Sequence, residues 1–204
     1  MSHKYGPFPH LEPNNFHVKF KHRQWLEKLE DETCRSSDEF IRHYKSKYQG
    51  FPVVPIWILV EVMSLGSLSL LYQGLQNNQK LGIEDKRAIS SRFNLHHKQL
   101  LDWLHTLTYI RNLCAHHGRL WNRELSIRAD FRGPKEWLPP VTPRNDRVFY
   151  ILIMLRHFLR SIVLDQGNDW AFSVTNLLRV IAVNPKYRIA MGVPEDWEVH
   201  PIWR

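Results

Sequence analysis

Hydrophobic positions along the 204-residue chain recur at the three- and four-residue spacing of amphipathic helices, with no convincing two-residue alternation of a half-buried strand. Trp25, Leu26, Leu29, Phe40, Ile41 and Tyr44 supply the apolar positions of a helix over His22 to Tyr48. The stretch Ser36-Ser37-Asp38-Glu39 is a place where it can break in two. Gly50-Phe51-Pro52 and Pro55 then punctuate the chain, and the apolar run behind them predicts a core helix from about Ile56 to Leu75. A polar turn around Gln76 to Gly82 follows, then a short helix from Ile83 to Phe93 with Glu84 and Asp85 at its positive end. Leu100, Leu101, Leu104, Leu107, Thr108, Ile110 and Leu113 predict a longer helix from His96 to His117. Gly118 stands where a left-handed cap commonly ends a helix. Gly133-Pro134, Pro139-Pro140 and Pro143 make Arg119 to Arg144 a long loop or broken helix. Helices are expected again over Val148 to Val163 and Trp170 to Val183.

The proline-rich start, Ser2 to Phe16, reads as irregular, and the tail from Pro185 reads as short turns anchored by Trp197 and Trp203. The expected organisation is an irregular segment over 1–21, a helical domain over 22–183 and an ordered tail over 184–204. The fold class is all-α, an up-and-down bundle of four to five main helices with a long basic loop. Composition agrees: 9 Gly against 8 Trp and 12% aromatic residues suits packed helices with few flexible turns. With 43% hydrophobic and 24% charged residues the chain is not of the disordered class. The run from Pro55 to Leu75 is interrupted by Glu61, Ser64, Gly66, Ser67 and Ser69, whereas a membrane span needs about 20 predominantly apolar residues. No membrane partner is expected. The opening residues have no apolar signal-peptide core, and Cys34 and Cys114 cannot build a disulfide framework, so a cytoplasmic setting is expected.

Charge adds a direction. The net charge is +8, and residues 111–160 carry 10 Lys/Arg against 4 Asp/Glu, which places +6 of it in that quarter. Nine of the ten are arginines: Arg111, Arg119, Arg123, Arg128, Arg132, Arg144, Arg147, Arg156 and Arg160. The guanidinium fork fits phosphate oxygens in a way the lysine point charge does not, although an arginine-rich surface can also be simply a solvated face.

The segment from Tyr109 to Arg123 concentrates polar groups at the end of an apolar helix. Asn112 and His116 are four residues apart and share a face, and the long Arg111 side chain can reach the same mouth. Imidazole exchanges protons near neutrality, and a fixed arginine can offset charge on a phosphoryl transition state. These are the groups that metal-independent RNA cleavage needs. Acid and base are two jobs, and a symmetric dimer with this helix at its interface would supply both. A histidine at a helix C-terminus followed by glycine is also ordinary capping, so the residues alone leave both readings open.

The run Arg111-Asn112-Leu113-Cys114-Ala115-His116-His117-Gly118-Arg119-Leu120-Trp121-Asn122-Arg123 resembles the signature of the Abi-like (abortive infection) family of bacterial phage-defence proteins. That family is placed in the HEPN superfamily, whose ribonucleases share an R-x-x-x-x-H motif with a polar residue after the arginine. The likeness continues in Ser2-His3-Lys4-Tyr5-Gly6-Pro7-Phe8, in Pro55-Ile56-Trp57 with Glu61-Val62-Met63-Ser64-Leu65-Gly66, and in Met191-Gly192-Val193-Pro194-Glu195-Asp196-Trp197. The resemblance implies a helical HEPN fold and an RNase acting as a homodimer on an RNA substrate; no cofactor is expected, and an antitoxin of RNA or protein is a candidate further partner. Arg111 and His116 take the motif positions and Asn112 the polar one. Members commonly carry roughly a hundred further residues before the block that here starts at Ser2, the size of a small domain. An inactive shortened form is therefore a competing expectation, alongside a non-catalytic RNA-binding or protein-interaction module.

Supporting residues can be proposed around this core. Glu61 lies in an otherwise apolar helix and is expected to be buried with a partner, either orienting Arg111 or a motif histidine or fixing helix register. His117 can assist His116 or serve as a capping residue. Arg119 and Arg123 are candidate RNA phosphate contacts, Trp121 and Asn122 are expected to lock the loop, and Cys114 reads as a small core residue. The 12 histidines are scattered without metal-ligand spacing, so no metal site is expected.

Overall fold

The computed structural model of the chain describes residues 2–75, 82–130, 143–162 and 166–203. Residues 76–81 of the polar turn expected around Gln76 to Gly82, and the stretch 131–142 with Arg132, lie outside them. Among the described residues the fold is all-α: α1 (Ser2–Tyr5), α2 (His22–Arg35), α3 (Glu39–Lys47), α4 (Ile56–Val62), α5 (Leu65–Gly74), α6 (Gly82–Ser91), α7 (His97–Ala115), α8 (Val148–Ile162), α9 (Gln166–Ala182) and α10 (Pro185–Met191). The chain divides into two compact units, Met1–Lys86 and Arg87–Arg204.

In the first unit α2 packs against α4 and α5. Trp25 and Leu29 on α2, Ile56 and Leu59 on α4 and Leu71 on α5 are all buried, as the helical spacing of apolar positions requires. The helix expected from His22 to Tyr48 does break at Ser36, whose extended backbone ends α2 and whose hydroxyl donates to Asp38 at 2.6 Å. The helix expected from Ile56 to Leu75 is two helices. Met63 and Ser64 adopt extended backbone, and Ser64 caps α5 by accepting the Ser67 N–H at 3.2 Å. What holds the break is Glu32, one turn from the end of α2. Its carboxylate accepts the Ser64 N–H at 3.1 Å and the hydroxyls of Ser64 and Ser67 at 2.8 and 3.0 Å. Glu32→Ala removes all three acceptor interactions from a largely buried site and is expected to lower stability by about 2 kcal/mol, read as a shift in the urea midpoint.

The proline-rich start carries two short turns, Pro9–Leu11 and Pro13–Asn15, and His10 is buried there at 3% exposure. Burial, reinforced by His22, pushes the His10 imidazole down to about 4. An unfolded histidine takes its proton near 6.5, so protons favour the unfolded state and stability falls as the pH drops from about 6.5 towards 4. The loss is on the order of 2 kcal/mol. Denaturation midpoints at pH 7 and pH 4.5 check it, with His10→Met expected to flatten the slope. Phe16 is also buried here, and Phe20 is half-buried and stacked on it at 5.1 Å. Of the three phenylalanines in this region only Phe8 is exposed.

The second unit is built on α8, whose Phe149, Tyr150, Ile151, Ile153 and Met154 are buried, with α9 packed against it and α10 against α9. Trp103 on α7 is fully buried, its ring 5.2 Å from His157 and 5.5 Å from Phe158. Arg156 is buried rather than displayed. Its guanidinium donates to the Ile202 carbonyl at 3.1 Å and to Asn168 Oδ1 at 3.2 Å, tying the tail to α8. Trp197 and Trp203 sit 5.9 Å apart, edge to face, and anchor that tail. No described helix is long and apolar enough to cross a membrane.

Candidate functional site

The motif lies at the end of α7. Leu100, Trp103, Thr106 and Ile110 form its buried stripe, so the last turn, which has no buried residue, emerges from the core. Arg111, Asn112, Cys114, His116 and His117 are all exposed, as are Arg119 and Arg123 beyond the turn. Arg111 donates to Asn112 Oδ1 at 3.2 Å. His116 is the C-cap residue, one turn from Asn112, whose carbonyl accepts its N–H at 3.0 Å. Cys114, read from sequence as a small core residue, is exposed because the helix has already left the core.

The turn that follows differs from expectation in one respect. The left-handed residue is His117, at φ 54°, and Gly118 does not have a positive φ. The Gly118 N–H bonds to the Leu113 carbonyl at 2.7 Å and the His117 N–H to the Cys114 carbonyl at 3.0 Å, the paired bonds of a Schellman cap. Gly118 is needed for space. A Cβ there would meet Leu113 Cδ1 and come within 2.8 Å of the Leu113 carbonyl oxygen. This close approach folds the chain back so that Arg119 to Arg123 continues beside the exposed end of α7. Trp121 packs edge-on against Tyr187 at 5.3 Å, and Asn122 takes a left-handed backbone at φ 50°, so both shape the loop.

Sequence reasoning missed Tyr109. It lies three residues before Asn112 and seven before His116, the spacing of one helical face. A hydrogen bond to Ser126, with the Arg123 guanidinium behind it, holds its phenol below the usual range. Arg123 therefore lies near Tyr109 on the motif helix. The helical spacing was visible in the sequence; the return of Arg123 was not.

The basic quarter separates into two groups. Arg128 pairs with Glu124, and Arg144 grips Asp146 with two bonds at 3.0 and 2.7 Å. That guanidinium holds the Asp146 carboxyl below the usual carboxylate range. Arg147 lies 3.9 Å from the same carboxylate, and Arg156 is buried. Arg111, Arg119 and Arg123, all within the motif run, form no ion pair with a described carboxylate. Glu61, expected to be buried with a partner, is exposed on α4 and loses the burial that called for one.

The model of the Abi-like protein family matches residues 1–122, well over half the chain and including both motif positions. The chain belongs to the Abi-like family. Abortive infection is the functional context that this Abi-like membership suggests. No curated protein and no solved structure matches the chain. Among the described residues no group of three or more histidine, cysteine or acidic side chains is arranged to hold a metal ion.

Proposed function

We propose that this Abi-like chain is a metal-independent endoribonuclease of the HEPN type, acting in abortive infection on cellular or phage RNA in the bacterial cytoplasm. The observation that carries the reading is the exposure of Arg111, Asn112 and His116 together, with three arginines of the same run free of any carboxylate partner among the described residues. A nuclease site must admit a polymer, and its cations must be available to phosphate.

In this reaction the ribose 2′-oxygen attacks the adjacent phosphorus while the bond to the leaving 5′-oxygen breaks, giving a 2′,3′-cyclic phosphate and a 5′-hydroxyl. One imidazole takes the 2′-hydroxyl proton and a second delivers a proton to the 5′-oxygen. Arg111 stabilises the charge on the phosphorane, and Asn112, already hydrogen-bonded to it, holds its orientation. Arg119 and Arg123 hold flanking phosphates, with Tyr109 beside Arg123. His117, in its strained left-handed turn, sets the direction of the loop.

Two proton transfers call for two copies of His116, hence a homodimer. Support for association comes from α9, which exposes Phe172, Leu177 and Val180, with Val183 exposed just beyond its end, an apolar face that an isolated subunit would leave in water. Such an enzyme is expected to be held in check by an antitoxin of RNA or protein.

The test is cleavage of single-stranded RNA in the presence of EDTA, with the product ends identified and the oligomeric state measured by sedimentation. Cyclic-phosphate products made by a dimer support the proposal. Salt-dependent RNA binding with no products would support a binding module instead.

A further inference from the structure

The Met1–Lys86 unit contains an open cavity of about 360 Å³ that the nuclease reading does not use. Phe20 and Trp25 line it, their ring centroids 5.7 Å apart. Phe20 is backed by Phe16, nearly parallel at 16°, and lies against Gly74, where a Cβ would come within 2.8 Å of three ring atoms. The ring is therefore held as a fixed wall. Lys19, Lys21 and Lys28 stand at the rim, all exposed, and Gln24 and Gln73 add amides. No carboxylate among the described residues lines the cavity, although Glu32 lies 3.6 Å from the Lys28 ammonium.

The rim is built against local helix preferences. Lys21 is the N-cap of α2, a position that favours an oxygen acceptor, and the first turn of that helix has no acidic residue. Ammonium groups thus gather at the positive end of a 14-residue helix, where an anion is the natural complement. Local rules are broken in this way mainly where function asks for it.

We propose that this cavity binds a nucleoside phosphate. The base lies on the Phe20 ring, the phosphate sits among Lys19, Lys21 and Lys28, and the Gln24 and Gln73 amides face the base edge. Stacking on an aromatic wall beside a cationic rim is how single nucleotides and single strands are held. The volume is in the range of small-molecule sites. The same chemistry is presented by a free nucleotide and by one nucleotide of a single-stranded RNA. The proposal does not rest on the Arg111–His116 reading, because all the residues it uses belong to the first unit.

The test is calorimetric titration of the full chain with AMP, adenosine, inorganic phosphate and a short single-stranded RNA. The RNA arm uses protein carrying Arg111→Ala and His116→Ala, so that the strand stays intact. AMP is expected to bind at least about tenfold tighter than adenosine or phosphate alone. The exposed pair Lys19→Glu with Lys21→Glu, which leaves the core untouched, is expected to weaken AMP by about tenfold or more. Phe20→Ala does the same if it folds, as its melting curve will show. A free nucleotide is the ligand if the lysine variant loses AMP alone, and the strand is the ligand if it loses RNA as well and RNA binds tighter. The proposal is overturned if adenosine or phosphate matches AMP, if AMP does not bind, or if the lysine variant titrates like the parent.

Discussion

Replacing Arg111 by alanine is expected to lower RNA cleavage by about 100- to 1,000-fold, and replacing His116 by about 100- to 10,000-fold. The first figure is the usual loss when one group stabilising transition-state charge is removed, and the second when a general acid or base is removed. The two act in one step, so the double variant should fall little below the worse single variant. Neither change should unfold the protein. Both side chains are exposed, Arg111 has only Asn112 as a hydrogen-bond partner among the described residues, and substitutions at such positions usually stay within about 0.5 kcal/mol. His116 adds at most about 1 kcal/mol from its place at the helix C-terminus. Initial rates on a labelled strand, measured beside melting curves, separate lost chemistry from lost structure. Full activity in both variants would remove the catalytic assignment. Asn112→Ala should lie between these and the parent, because it acts through Arg111.

The second large effect concerns the turn behind the motif. Gly118→Ala is expected to cost about 3 kcal/mol, because its methyl group would be forced into the side chain and carbonyl of Leu113. The Leu113 carbonyl is backbone held by the Gly118 N–H itself, so neither partner can move without opening the cap. His117→Gly should go the other way and stabilise by about 0.5–1 kcal/mol, since glycine takes the left-handed conformation without strain. Thermal melts of the pair check this directly. Were the glycine required for its left-handed freedom, as its place in the sequence invites one to expect, the sensitivities would be reversed. A raised melting temperature for Gly118→Ala would sink the structural account of this turn.

Helical spacing carried much of the fold. The helices around Trp25, Trp103 and Phe149 lie where their apolar stripes put them, and α7 ends within two residues of the expected His117. The start of α9 is four residues earlier than Trp170, since polar residues at an exposed helix start leave little hydrophobic trace. The run from Arg111 to Arg123 was equally legible as a concentration of polar groups after an apolar helix, and its family likeness spans the same residues. Cys114 was misplaced because small size at helical spacing suggests burial only while the helix is still inside a core.

By itself, then, the sequence determined that the chain is helical, where most of its helices lie, that basic charge is concentrated after residue 110, and which family it belongs to. Only the tertiary structure decided that Glu32 splits the 56–75 helix, that Arg156 is a buried tie and that Arg144 serves Asp146. It also decided that Arg111, Arg119 and Arg123 meet no carboxylate among the described residues, and that lysines gather over an aromatic wall. The reason is range. Helix formation depends on neighbours three and four residues away, so its pattern is written locally. A charge is claimed or left to solvent by partners far along the chain, such as Ser64 for Glu32 and Ile202 for Arg156, and those meet only when the helices pack.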